Sequence, residues 1–139
     1  MTRYRIGDTW YVTNTDVDAY IDSLRAIHLM SPTIFDRLAK ETGTENRRFF
    51  APNPEELFHR SPHLATERHR FQRIVPSWYA NTVLNNREKF KIVLSACMLV
   101  GLVYWEDIEI QFSVGHYSPP TKEEAIADAR RMLKELETE

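Results

Sequence analysis

Three histidines in the middle of the chain are the side chains best suited to metal or acid–base chemistry. His59 and His63 are four residues apart, a spacing that on a helix places both imidazoles on one face, as in many zinc sites. Pro62 lies between them, however, and disfavours a helix through the residue before it. His63, Glu67 and His69 could instead form a cluster of two histidines and one carboxylate in a loop. A small hydrolase or metal-dependent enzyme at His59, His63 and His69 is therefore one functional hypothesis.

The other sequence patterns that accompany catalysis are missing from the chain. Its four glycines are scattered, so no glycine-rich loop that could cradle a phosphate is encoded. There is no Gly-x-Ser-x-Gly motif and no Cys-x-x-Cys pair, and Cys97 lies in an apolar run, where burial makes a thiol a poor nucleophile. No acid and base can be paired from spacing alone. The sequence therefore predicts no catalytic residue, no metal ligand and no cofactor, and it favours a protein that is not an enzyme.

Positive charge is concentrated in the middle third of the chain. Residues 45–90 carry eight basic and five acidic residues, whereas residues 1–44 and 91–139 each have an acidic surplus. Seven of the eight cations are arginine, whose guanidinium can bind a carboxylate or phosphate through two parallel hydrogen bonds. Aromatic residues lie between the arginines. The predicted partner-binding residues are Arg47, Arg48, Arg60, Arg68, Arg70, Arg73, Trp78 and Tyr79.

This arginine-rich, aromatic segment has three interpretations. Arginine and aromatic side chains are enriched at the energetic centres of protein interfaces. The leading prediction is therefore a small non-enzymatic regulatory protein, an inhibitor or adaptor, that docks residues 45–90 on the acidic surface of a protein partner. The same residue types contact phosphates and stack on bases, which predicts a DNA- or RNA-binding regulator instead. In the third interpretation the aromatic residues belong to the core and the arginine stems lie over it.

Cysteine count and charge placement indicate the compartment. A single cysteine cannot form an internal disulfide, which argues against the disulfide-stapled secreted class and favours the cytoplasm. The first ten residues carry Arg3, Arg5 and Asp8, so they do not have the pattern of a signal peptide. The longest uncharged run, residues 92–105, has 14 residues, fewer than the ~20 that a membrane-spanning helix needs. We therefore expect a cytoplasmic protein that does not enter a membrane.

Hydrophobic periodicity predicts an α+β fold: one helix-rich domain over residues 1–139, with a short N-terminal hairpin, a central buried apolar helix and a small antiparallel sheet. At this length a single core is large enough for stability. The hairpin is expected over residues 3–13. A helix capped by Thr15 follows to about Leu29, and a second helix begins at Ser31-Pro32 and ends before Gly43.

The next stretch is less regular. A short helix is expected after the N-cap Asn53, because proline and two glutamates follow it. A further helix is expected from Thr66 to Val75, and another turn or two of helix over residues 77–86.

The last third has the strongest patterns. The apolar residues 87–105 predict the central helix, with a pair of strands as the alternative. Strict alternation over residues 108–114 predicts a strand, and Thr121 caps an amphipathic terminal helix. Because the central helix is apolar on all sides, the sequence also predicts a homodimer that forms through residues 87–105.

The N-terminal stretch resembles part of a known DNA-binding fold. Tyr4-Arg5-Ile6-Gly7, Trp10-Tyr11-Val12 and the segment from Asp16 to Ile21 are similar to the wing and the following helix of the excisionase and MerR-like winged helix-turn-helix families. In these families a glycine turn reverses the wing and an aromatic residue packs beneath it. The resemblance covers about 20 of the 139 residues and leaves out the recognition helix. It implies a hairpin, a buried Trp10 and phosphate contacts by Arg3 and Arg5.

Overall fold

The computed structural model describes residues 1–113 and, beyond them, only Glu123, Ala127, Arg130, Arg131 and Lys134, each of which is helical and exposed. It confirms the predicted α+β fold. The elements in chain order are β1 (Thr2–Ile6), β2 (Thr9–Thr13), α1 (Asp16–Met30), α2 (Ile34–Glu41), β3 (Phe50–Ala51), α3 (Pro54–Leu57), β4 (Phe71–Val75), β5 (Trp78–Asn81), α4 (Asn86–Val100) and β6 (Ile108–Gln111). Most of the predicted terminal helix, including its cap Thr121, lies outside the described residues, as does Val114 of the predicted last strand.

The N-terminal hairpin forms as predicted, but Trp10 is on its other face. Strands β1 and β2 pair in register around Gly7, and β6 adds to β1, giving the antiparallel order β2-β1-β6. Because side chains alternate along a strand, Tyr4 faces the core while Arg3, Arg5 and Trp10 share the outer face. Trp10 is therefore 38% exposed, with the Arg3 guanidinium 4.7 Å from its ring centre. The expectation of a buried Trp10 is wrong.

Helices α1 and α2 follow the hairpin, and their junction differs from the prediction. Thr15 caps α1 by accepting a hydrogen bond from the Asp18 N–H. The predicted second N-cap at Ser31-Pro32 is wrong, because the Ser31 N–H is still bonded to the carbonyl of Ile27 and closes the first helix. Helix α2 begins two residues after Pro32, at Ile34.

The middle of the chain is a second sheet, not the predicted helices. Asn53 caps the short α3, as expected. Two short 3₁₀ turns follow, Pro62–Thr66 and Arg68–Arg70. Residues 71–81 then form a β-hairpin in which β4 and β5 pair across Pro76-Ser77, and β3 adds to β5. The prediction of a helix from Thr66 to Val75 and of helical turns over residues 77–86 is therefore wrong. Aromatic and β-branched residues around a two-residue proline turn favour a hairpin once β3 supplies a partner edge.

Helix α4 is the central helix, and the strand-pair alternative is excluded. Asn85 and Glu88 form a capping box at its start, and Gly101, with φ of +81°, ends it before the predicted end at Trp105. Residues 92–97 are at most 2% exposed because α1 and α2 pack against them. This chain therefore covers α4 itself, which removes the reason for a homodimer through residues 87–105. Over the described part of the chain, no helix is long and apolar enough to cross a membrane.

One carboxylate joins the two ends of the described chain to the central helix. Asp16 Oδ1 accepts hydrogen bonds from Thr2 Oγ1 at 2.6 Å and from the Ser113 N–H at 3.0 Å. Its Oδ2 accepts one from Asn86 Nδ2 at 2.9 Å. The buried Lys89 ammonium donates in turn to the Asn86 side-chain oxygen. Asp16 therefore connects β1, the start of α4 and the chain that follows β6.

These hydrogen bonds make stability depend on acid pH. Burial raises the pKa of Asp16, but the bonds from Thr2, Asn86 and Ser113 lower it by more, so the pKa lies below its ordinary value. The unfolded chain therefore takes up this proton at higher pH than the folded chain. The contribution of Asp16 is complete above about pH 5, and it is lost as pH falls through about 4 and through the folded-state pKa.

We predict that Asp16→Asn lowers the free energy of unfolding by about 1–3 kcal/mol at neutral pH and flattens its decline below about pH 5. Urea denaturation at several pH values measures both effects. Asp8→Asn is the control, because this carboxylate is exposed in the hairpin turn. Equal pH profiles for wild type and Asp16→Asn would contradict the prediction.

Candidate binding site

Four of the predicted arginines surround one cavity. It has a volume of about 240 Å³ and lies between the loop after α2, the end of α3 and the residues that flank the second sheet. Its polar lining includes Arg47, Arg48, Arg60, Arg70 and His59. No Asp or Glu is among the described residues that line it. We call this cavity the basic pocket.

The floor of the basic pocket is apolar. Leu57 and Phe58 are buried at the end of α3, and Leu64 lies in the first 3₁₀ turn. They pack with Phe71 and Tyr79 of the second sheet, separately from the main core, which is built mostly from α1, α2 and α4. The sequence prediction missed these floor residues, although the Asn53 cap followed by two apolar positions was the available signal. The pocket therefore combines a cationic rim with an apolar base.

A tight loop places the first two arginines. The Thr44 N–H donates to the Arg47 carbonyl at 2.7 Å, and Thr44 Oγ1 accepts from the Arg47 N–H at 3.1 Å. Gly43 precedes this loop with φ of +86°, and a Cβ at this position would lie 2.8 Å from the Arg47 carbonyl oxygen. The close approach and the left-handed backbone both require glycine here.

Arg47 and Arg48 are neighbours in sequence but differ in their contacts. The Arg47 guanidinium forms an ion pair with Glu88 in the first turn of α4, and it donates to the Val83 carbonyl at 2.8 Å. Arg48 is exposed and donates to the backbone carbonyl of Glu56. Within residues 1–113 no carboxylate pairs with Arg48. Arg47 is thus held by the fold, whereas Arg48 keeps its charge available to a ligand.

Arg60 and Arg70 are each paired with a glutamate, and the Arg60 pair is open to solvent. Arg60 lies 3.3 Å from a carboxylate oxygen of Glu45, and the two side chains are 56% and 87% exposed. Exposed pairs of this kind contribute little free energy. Arg70 pairs with Glu67 three residues before it, at 2.9 Å. Because the Arg60–Glu45 pair is exposed, an incoming anion can replace Glu45 as the partner of Arg60 at a small cost in free energy.

The other four predicted binding residues do not line the basic pocket. Arg68 is exposed on the second 3₁₀ turn, and Arg73 donates to the Pro76 carbonyl within the hairpin. Trp78 packs against the main core, and Tyr79 packs against Phe71 with ring centres 5.9 Å apart. For these two aromatic residues the structure supports the interpretation that they stabilise the fold.

The three histidines do not form the cluster that the enzyme hypothesis requires. His59 Nε2 contacts the backbone carbonyl of Glu45 at 2.9 Å, while His63 and His69 are exposed. Among the residues that the structure describes, no three His, Cys, Asp or Glu side chains are close enough to hold a metal ion. Burial raises the pKa of the Cys97 thiol to about 12, so it is not a nucleophile at neutral pH.

Comparisons of the chain with protein-family models, with curated proteins and with solved structures gave no match. The resemblance to winged helix-turn-helix families therefore rests on the hairpin and α1 alone. Arg5, one of its two implied phosphate contacts, donates to Glu109 and to the carbonyls of Gly7, Trp105 and Glu106. The Arg5 guanidinium is therefore already hydrogen-bonded within the protein.

Gly43 gives a stability test of the loop that builds the pocket. Gly43→Ala and Gly101→Ala both place alanine at positive φ, which costs about 1–2 kcal/mol. Only Gly43→Ala also drives a Cβ into the Arg47 carbonyl, since Gly101 has open space around it. We predict that Gly43→Ala lowers the urea midpoint more than Gly101→Ala. The reverse order would mean that the loop adjusts without strain.

Proposed function

We propose that this protein is a small non-enzymatic binding protein that takes an acidic segment of a protein partner into the basic pocket. The observation that carries the proposal is the convergence of Arg47, Arg48, Arg60 and Arg70 on one cavity whose described lining has no carboxylate. Bound in this way, it would act as an inhibitor or adaptor of its partner. We further propose that it does so in the cytoplasm.

The arrangement of the arginines around the cavity favours binding of a carboxylate. Arg47 is held in place by Glu88 and by its position over the Phe49 ring, so little side-chain freedom is lost when a ligand binds. Arg48 and Arg60 reach the same cavity from separate segments and can each bind a carboxylate with two hydrogen bonds. We infer that a glutamate or aspartate side chain occupies the rim.

The apolar floor specifies what accompanies that carboxylate. Leu64, which is half-buried, and Val83, which is 45% exposed, provide apolar surface beside the arginines, where a neighbouring leucine or phenylalanine of the partner can exclude water. A nucleic acid would instead use exposed aromatic rings for base stacking. Phe58, the one Phe, Tyr or Trp among the described lining residues, is only 9% exposed. The preferred ligand is therefore an acidic peptide with apolar neighbours.

Fluorescence anisotropy tests this proposal with two labelled probes. One is a peptide that alternates glutamate with leucine or phenylalanine, and the other is a single-stranded oligonucleotide of mixed sequence. The pocket variant is Arg48→Ala with Arg60→Ala. The matched control is Arg68→Ala with Arg73→Ala, which removes the same charge from exposed arginines of the same segment that lie outside the pocket.

We predict that the pocket variant weakens peptide binding by about tenfold or more, because each arginine contributes charge-assisted hydrogen bonds. The control variant should change the affinity for the peptide by no more than about twofold. Equal losses in both variants would mean that net charge, not the pocket, binds the probe. Tighter oligonucleotide binding with a steep salt dependence would favour the nucleic-acid alternative.

Affinity capture from the source organism then identifies the partner. A protein retained by the wild type and by the control, but lost with the pocket variant, is the expected ligand of the basic pocket. Absence of any such protein, together with no binding of the acidic peptide, would contradict the proposal.

A further inference from the structure

Strand β2 is an open edge of the N-terminal sheet. The order β2-β1-β6 leaves one side of β2 without a neighbour among the described residues. The Gly7 N–H donates to the Asp107 carbonyl across the sheet, and backbone groups alternate in direction along a strand. The same alternation turns Thr9, Tyr11 and Thr13 toward β1. The N–H and C=O groups of Trp10 and Val12 therefore point outward.

The outer edges of β6 and β4 are covered by hydrogen bonds from side chains. On β6, the outward Ile110 N–H is bonded at 2.9 Å to the hydroxyl of Tyr104. On β4, the Arg25 guanidinium donates to the carbonyls of Ile74 at 2.7 Å and Arg73 at 3.1 Å. Such covering prevents sheet edges from pairing with other chains. The remaining edge strand, β3, has only two residues.

Within residues 1–113, no comparable cover lies over β2. Its sequence, Thr-Trp-Tyr-Val-Thr, contains no charge and no proline. Tyr11 and Val12 are 45% and 58% exposed. Beside the strand lies an open groove of about 450 Å³ whose lining is mostly apolar and includes Tyr11, Leu29 and Met30, with Asp22 and Arg25 as its charged residues. Leu29 is 85% exposed. Among the described residues, the edge and the groove together form one exposed, mostly apolar surface.

We propose that β2 pairs antiparallel with β2 of a second copy of this chain. Centring the pairing on Tyr11 brings all five residues of each strand into register. Trp10 of each copy then lies opposite Val12 of the other, and the outward groups of these residues form four hydrogen bonds between the copies. The two three-stranded sheets become one sheet of six strands.

A second copy fits this edge for reasons of charge and symmetry. The residues that pair directly carry no charge, and the nearest cations, Arg3 and Arg5, each lie over the Trp10 ring of their own copy. A two-fold axis at Tyr11 uses the same surface on both copies, which closes the assembly at a dimer. The apolar groove beside Tyr11 is duplicated next to the same axis. This dimer differs from the one predicted through residues 87–105, and the groove shares no lining residue with the basic pocket.

The mass of the full chain in solution tests the proposal. Light scattering after gel filtration should give twice the chain mass of 16.4 kDa. Val12→Lys should give the single-chain mass, because it places two like charges opposite the partner strand. The control is Val103→Lys, the same change at a valine that is 39% exposed elsewhere, and it should remain dimeric. Circular dichroism checks that each variant is folded.

Cysteine cross-linking tests the register. In a pairing centred on Tyr11 the two Tyr11 Cα atoms are about 4.5 Å apart, within the range that a disulfide spans. Tyr11→Cys should therefore form a covalent dimer under oxidation, while Cys97, at 1% exposed, does not react. Thr9→Cys lies on the same face of β2 but opposite Thr13 of the second copy, so it should not cross-link.

Each of the following results would overturn the proposal. One is a wild-type chain of single mass at every concentration at which it stays in solution. Another is a dimer that persists in Val12→Lys. The last is cross-linking of Thr9→Cys in preference to Tyr11→Cys, since this would place the contact in another register. If a partner protein binds the β2 edge of a monomeric chain, the second copy is likewise excluded.

Discussion

The hydrogen-bonded carboxylate of Asp16 holds together parts of the chain that are distant in sequence. Its partners Thr2, Asn86 and Ser113 are 14, 70 and 97 residues away. A carboxylate in such a half-buried position is costly unless donors surround it, so the network forms only when β1, α4 and the end of β6 are all in place. Asp16 therefore constrains how β1, α4 and β6 are placed relative to one another.

The basic pocket depends on the same end of α4. Asn86, which donates to Asp16, is the first residue of that helix, and Glu88, two residues later, closes its capping box. Glu88 also pairs with Arg47 in the pocket. The position of an arginine in the proposed binding site is therefore linked, through one helix turn, to the network that joins the chain ends.

Arginine has two different uses in this molecule. Arg5 and Arg25 donate to backbone carbonyls and tie elements together, whereas Arg48 and Arg60 are exposed at a cavity. Residue type and local charge do not separate these uses, because both need a guanidinium with its fork of donors. This is why the arginine-rich segment was found from sequence while only four of its predicted arginines line the pocket.

The sequence by itself determined the elements that local signals specify. The glycine turn of the hairpin, the Thr15 cap of α1, the Asn53 cap of α3 and the capping box of α4 all act within a few residues of the structure that they begin. Only the tertiary structure decided that residues 71–81 form strands, because that choice depends on pairing with β3, about 30 residues earlier. It likewise decided that Trp10 faces outward and which arginines meet at one cavity. Burial and long-range pairing set these outcomes, and neither is encoded in a short stretch of sequence.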